Sequence, residues 1–188
     1  MTLLFSRRCS VLIAAPLLAA SLVATSFVAT AAPQAHQHGA AKLDVAVEPG
    51  KISLQLDTPL DNLLGFERAP RTDAERARAD AAVATLKAAA TLFKFDAAAG
   101  CALLRVTLDS AALKLGSPAP TEAAEGHADI DGTFEFACKD VSKATAIDVG
   151  LFDAFKRMQR IESQIAAPQG QFKRTLVRPA RRLALTKE

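Results

Sequence analysis

Tryptophan and tyrosine are absent from these 188 residues, and all aromatic content rests on ten phenylalanines. That leaves little material for an aromatic cage around a cation or for a platform on which bases stack. A charge excess is also lacking. Lys and Arg number 23 against 20 Asp and Glu, a formal net charge of +3. Arg7 and Arg8 precede a long apolar run near the N-terminus, and without them the balance falls to +1. A nucleic-acid reader needs a concentrated positive field to displace phosphate counterions, so that class is excluded. No Gly-x-Ser-x-Gly, His-Glu-x-x-His or glycine-rich phosphate loop occurs. Without such elements, and without a nucleophile beside an oriented base, we expect no enzyme. Charged residues at 23% and apolar ones at 50% exclude a wholly disordered chain, and the length fits one domain.

What is present begins with a leader. Arg7 and Arg8 form a basic start, and residues 11–28 make an uncharged run rich in Ala, Leu and Val. Ala29, Thr30 and Ala31 place small residues where a signal peptidase reads. We expect residues 1–31 to be a signal peptide cleaved before Ala32. The competing reading is a retained membrane anchor, since the run approaches the roughly 20 residues that span a bilayer. Pro16, Ser21, Thr25 and Ser26 weaken it. Cleavage leaves no membrane span and removes Cys9.

Cys101 and Cys138 then remain, and an even count in an exported chain reads as one disulfide. The competing reading is a thiolate metal pair. Its spacing is far from a zinc-ribbon pattern, and an oxidising compartment disfavours free thiols.

Residues 41–57 read as two strands. Leu43, Val45 and Val47 alternate with polar residues, as do Ile52, Leu54 and Leu56. Folding at Pro49-Gly50 opposes Val47 to Ile52, Val45 to Leu54 and Leu43 to Leu56, all on one face. An L-Pro-Gly pair matches hairpin twist poorly, so a loop wider than two residues is expected. Residues 58–71 read as a loop with apolar anchors. Thr72 lies three residues before Glu75, the capping-box spacing, and opens a helix with Ala79, Ala82, Val83, Leu86, Ala90 and Phe93 on one stripe. Residues 101–115 alternate, with Ala102, Leu104, Val106 and Leu108 on the apolar face. Cys101 has the opposite parity, so a disulfide there requires a bulge or a later strand start. Residues 116–126 read as a flexible linker. From His127 to Cys138 the chain alternates again, Ile147, Val149 and Leu151 suggest a further strand, and weaker strand signals lie at 158–165, 171–178 and 182–186. The fold class is α+β: a mostly antiparallel sheet with one long helix on a face, in a single domain over 32–188.

The three histidines are His36, His38 and His127. In an extended segment His36 and His38 point to the same side, so both imidazoles reach one ion. Continuing the first strand's parity backwards puts them on the solvent face with Lys42 and Asp44. His127 shares the polar side of its strand with Asp129 and Asp131. Three imidazoles and one of these carboxylates would complete a tetrahedral zinc set. Against this stands the plain reading of solvated surface histidines and the wet face of an antiparallel strand. Among enzyme readings, Glu67 after Gly65 and Phe66 is the carboxylate available as a base, but its apolar neighbours read first as a packed loop.

Several stretches in order resemble one family. They are His36-Gln37-His38-Gly39 before a strand, the loop from Asn62 through Gly65-Phe66-Glu67-Arg68 to Pro70, and the acidic helix after it. Gly100-Cys101, the segment from His127-Ala128-Asp129 to Cys138, and Gln169-Gly170-Gln171 follow. Together, over about 36 to 186, the chain resembles the ZrgA family of periplasmic zinc-uptake proteins. The resemblance implies zinc binding in the periplasm in support of an ABC-type zinc importer, with the importer's periplasmic binding protein as partner. It implies His36, His38 and His127 as ligands, with Asp129 as a further candidate, and Cys101 and Cys138 as the matched cysteine pair. Two departures stand out. Relatives carry a His- and Asp-rich stretch where residues 118–126 hold only Glu122 and Glu125, and a His where this chain has Arg68. One zinc site rather than a reservoir is therefore expected. Copper is the competing ion, because imidazoles bind it more tightly. The alternative from another class is a metal-free interaction module gripping an envelope protein.

Overall fold

The computed structural model describes residues 37–117 and 128–187. The leader, His36, His127 and the linker from 118 onward lie outside them. Strand β1 (Ala40–Glu48) pairs antiparallel with β2 (Lys51–Pro59), and Leu43 faces Leu56, Val45 faces Leu54 and Val47 faces Ile52. This is the register that alternation predicts. The expected wide loop is not formed. Glu48 pairs with Lys51, so Pro49-Gly50 alone makes the turn, with Gly50 at φ +74°. A residue without Cβ adopts that conformation freely.

The stretch read as loop after residue 57 is partly regular. β2 continues to Pro59, and Leu60–Leu64 winds one helical turn, α1. Leu60 and Leu64 are buried, and burying two apolar anchors four apart is what a single turn achieves. Helix α2 (Asp73–Lys87) starts as the capping box predicts: Thr72 Oγ1 accepts from the Glu75 amide at 3.1 Å. Ala79, Ala82 and Leu86 face the core. The helix breaks at Ala88, and a turn, α3 (Ala89–Leu92), resets the phase. Ala89 and Leu92 become buried while Ala90, expected on the stripe, is exposed. Phe93 opens strand β3 (Phe93–Phe95) rather than ending the helix.

Strands β4 (Cys101–Asp109) and β5 (Asp129–Cys138) pair antiparallel, with Cys101 directly opposite Cys138. They form a disulfide. The parity conflict is resolved by a bulge: Leu103 faces Phe136 and Arg105 faces Glu135, so Leu104 has no partner position. One extra residue flips every side chain before it. Leu103 therefore packs against the core, and Ala102 and Leu104, expected inside, are exposed, Leu104 at 62%. β6 (Ala146–Val149), a turn of helix α4 (Leu151–Ala154), β7 (Arg160–Ala167), β8 (Gly170–Val177) and β9 (Arg182–Ala184) complete the order.

The main sheet runs β4-β5-β2-β1-β7-β8, antiparallel except for the parallel β1/β7 junction. The sheet is mostly antiparallel, as expected, with one parallel junction at its centre that alternation did not reveal. A second sheet, β3-β6-β9, lies apart from it in pairing. One face of the main sheet is apolar, with Leu43, Leu54, Ile130, Phe134 and Ile161 at or below 1% exposure. The helices and small sheet join the same core: Phe93 meets Phe134 and Phe95 meets Phe136, with ring centroids at 5.0 and 4.8 Å. The other face is polar. Among the described residues, one helix, α2, is long. No helix of the described residues is long and apolar enough to cross a membrane.

The helix start carries a pH signature. Arg68 forks onto the Glu75 carboxylate at 2.7 and 2.8 Å, and the Arg71 amide donates at 2.7 Å. These bonds lower the Glu75 carboxyl from 4.5 to about 2. A depressed carboxyl stabilises the fold above its unfolded value and loses that stabilisation as pH falls through its folded one. The gap in urea midpoint between wild type and Glu75→Gln should therefore be full above about pH 4.5 and close towards about pH 2. A gap unchanged across that window would show that the carboxylate charge contributes nothing.

Candidate metal centre

His38 sits in a turn, not in the extended continuation of β1. Ala40 donates to the Gln37 carbonyl at 2.9 Å, and Gly39 has φ +84°. Strand parity therefore stops at Gly39, and the expected solvent-face alignment of His38 with Lys42 and Asp44 does not follow from it.

Asn62, 1% exposed, holds this turn from α1. Its Oδ1 accepts from the Gly39 amide at 2.7 Å. Its Nδ2 donates to the Ala40 carbonyl at 2.7 Å and to Thr58 Oγ1 at 2.9 Å. On the other side, Gly39 O accepts from the Gln159 and Arg160 amides at 2.7 and 2.9 Å. The neighbouring Asp61 is gripped by Arg157, whose Nη2 lies 2.9 Å from both carboxylate oxygens. The segment carrying His38 is thus tied to the end of β2, to α1 and to the start of β7.

The loop after α1 then delivers a carboxylate to the imidazole. His38 Nε2 and Glu67 Oε1 are 2.9 Å apart, with the histidine side chain 65% and the glutamate 26% exposed. Gly65, at φ +84°, turns the chain out of α1, and Arg78 caps the Leu64 carbonyl at 2.9 Å. Arg68 stacks over Phe66 at 4.8 Å and forks onto Glu75, so the loop is fastened on both sides of Glu67. Zinc takes nitrogen at about 2.0–2.1 Å and carboxylate oxygen at about 2.0–2.2 Å, which sets two tetrahedral donors about 3.3 Å apart. His38 and Glu67 fit two such corners after opening by a few tenths of an ångström.

Of the expected ligands, His36 and His127 lie outside the described residues. Asp129 opens β5 opposite Pro59, on the polar parity of its strand, and its carbonyl accepts from Ser110 Oγ at 2.7 Å. β1 and β5 both start at the sheet end where β2 finishes, so the two histidine-bearing stretches lead into strands that begin at the same end. Beyond Asp129, register aligns Asp109, Asp131 and Asp57 across three strands, with Lys42 3.4 Å from Asp57. Among the described residues, no three His, Cys, Asp or Glu side chains are gathered to hold an ion. The partnership of His38 with Glu67 was not readable from sequence. The two are 29 positions apart, and no spacing rule links a turn histidine to a loop carboxylate.

Comparison with known proteins bears on this site. The family described as ZrgA family zinc uptake protein matches residues 35–185, a span that includes all three histidines, Glu67 and both bonded cysteines. No curated protein matches the chain.

Proposed function

The chain belongs to the ZrgA family of zinc uptake proteins, and from that premise we propose that it is a periplasmic zinc-binding accessory protein that passes the ion to an ABC-type importer. The observation that carries the reading is the His38–Glu67 pair, 2.9 Å apart on a turn tied down on three sides. Zinc is cargo here, and the residues proposed to hold it are His36, His38 and His127, with Glu67 added to them and Asp129 as the further carboxylate. A neutral imidazole and a carboxylate are donors suited to zinc. Because protons compete for the imidazoles, binding weakens on acidification. The proposed partner is the importer's periplasmic binding protein.

Calorimetry on the metal-stripped mature chain tests this. One zinc site is expected, lost in the triple His→Ala variant. His38→Ala and Glu67→Gln should each weaken binding roughly tenfold or more, a loss of the size seen when metal-site partners are removed. Equal affinity in Glu67→Gln would take Glu67 out of the set. Absence of zinc binding in the wild type would overturn the reading. A parallel copper titration, with zinc competition, decides which ion the site prefers.

A further inference from the structure

The outer face of the main sheet carries a concavity of about 440 Å³ across β2, β1, β7 and β8, away from the turn that holds His38. That volume falls in the range of small-molecule sites, about 300–1,000 Å³. Its floor is made of two methyl groups, Ala46 and Ala166, which are register partners across the parallel junction. The same row continues to Ser53 opposite Ala46 and to Gln171 opposite Ala166. The next row sets Gln55 opposite Asp44 and Gln164 opposite Lys173. A small apolar floor is thus edged by three carboxamides, a hydroxyl, a carboxylate and an ammonium.

Two features separate this patch from an ordinary solvated sheet face. Elsewhere on the face, charges pair: Lys42 with Asp57 at 3.4 Å, Lys51 with Glu48 at 3.0 Å, Arg105 with Glu135 at 3.1 Å. Within the concavity, the side chains of Ser53, Gln55, Gln164 and Gln171 make no hydrogen bond to the described residues. In addition, the β1/β7 ladder skips Leu43 and Asp44 while its register stays constant, Lys42 opposite Glu162 and Val45 opposite Ile165. There Asp44 Oδ1 accepts the Gln164 amide at 3.0 Å, which fixes the carboxylate at the rim.

We propose that this concavity binds a neutral pyranose disaccharide. A pyranose has an apolar C–H face, which suits the alanine floor, and hydroxyls around its edge that both donate and accept. Carboxamides offer one donor group and one acceptor each, so they satisfy neighbouring hydroxyls in pairs, and Asp44 accepts strongly. Other ligand classes fit worse. A charged ligand meets one carboxylate, Asp44, and one ammonium, Lys173, and gains no net attraction, a flat aromatic finds no ring on the floor, and an apolar ligand strips water from the amides without replacing its hydrogen bonds.

Saturation-transfer NMR on the mature chain, with maltose, cellobiose and N,N′-diacetylchitobiose as probes, tests the proposal. At least one probe should show transfer, strongest at its C–H face, unchanged by a chelator that removes zinc. Ala166→Phe, which fills the floor, and the double variant Gln55→Ala with Gln171→Ala, which removes two exposed amides, should each weaken binding roughly tenfold or more, the scale of one to two lost hydrogen bonds. The amide variant keeps the test decisive if the phenylalanine disturbs folding. No transfer from any probe, or affinity unchanged in the amide variant, overturns the proposal. Loss of transfer on zinc removal would overturn it too, by tying the signal to the metal site.

Discussion

Replacing Asn62 with alanine is expected to cost about 3 kcal/mol of stability and to weaken zinc binding about 10–100-fold. Three groups lose their partner at once: the Gly39 amide, the Ala40 carbonyl and the Thr58 hydroxyl. Asn62 is 1% exposed, so water does not readily replace what the carboxamide supplied. A buried polar group left unsatisfied costs about 1–3 kcal/mol, and relaxation of the turn recovers part of the sum. Loss of the clasp frees the residues next to His38, and ordering them then opposes metal binding. Asn62→Asp keeps an acceptor for Gly39 but turns a carboxylate oxygen towards the Ala40 carbonyl, so burial of that charge opposes what the retained bond contributes. Urea unfolding and calorimetry should place both variants below wild type, in stability and in zinc affinity. A stability loss with unchanged zinc affinity would show that the clasp serves the fold alone.

The second large effect is loss of the Cys101–Cys138 bond. The double Cys→Ala variant is expected to be about 3–4 kcal/mol less stable, the chain entropy released by opening a loop across 37 positions. Beside this effect on the unfolded chain, a local one is expected in the native state. β4 is an edge strand whose one sheet neighbour is β5, and the disulfide fastens its first residue there. Hydrogen exchange in the variant should accelerate in β4 well before β1 or β2, whose strands are paired on both sides. Uniform acceleration across the sheet would mean that the bond acts only through the unfolded chain.

These two cases also mark how far sequence reading reaches. The β1–β2 register followed from alternation, because a slip of one residue would turn Leu43, Val45, Ile52 and Leu54 outward together. The capped start of α2 followed from Thr72 and Glu75, since capping depends on atoms three residues apart. The parity of Cys101 called for a bulge or a later strand start; the structure has the bulge, and which residue bulged was not legible. The alternation of residues 101–108 assigned Leu104 to the core, and the bulge placed it outside. Likewise the apolar stripe of α2 ran on to Ala90 and Phe93 in sequence, but the chain broke at Ala88 so that Phe93 could pair in β3 and meet Phe134.

For the candidate site the division is sharper. Sequence named His38 and, through a resemblance, the loop from Asn62 to Pro70. It did not say that the loop's purpose includes holding His38. What sequence alone determined were features set by neighbours along the chain: strand faces, the hairpin register, the helix cap and the scarcity of metal-binding side chains. What only tertiary structure decided were the contacts between distant segments: Asn62 on Gly39, Glu67 on His38, Arg157 on Asp61, and the parallel junction that lays Ala46 beside Ala166. The reason is physical. Local periodicity fixes which way a side chain faces, whereas the partner it meets depends on how the strands are ordered across the sheet, and alternation is the same for every order.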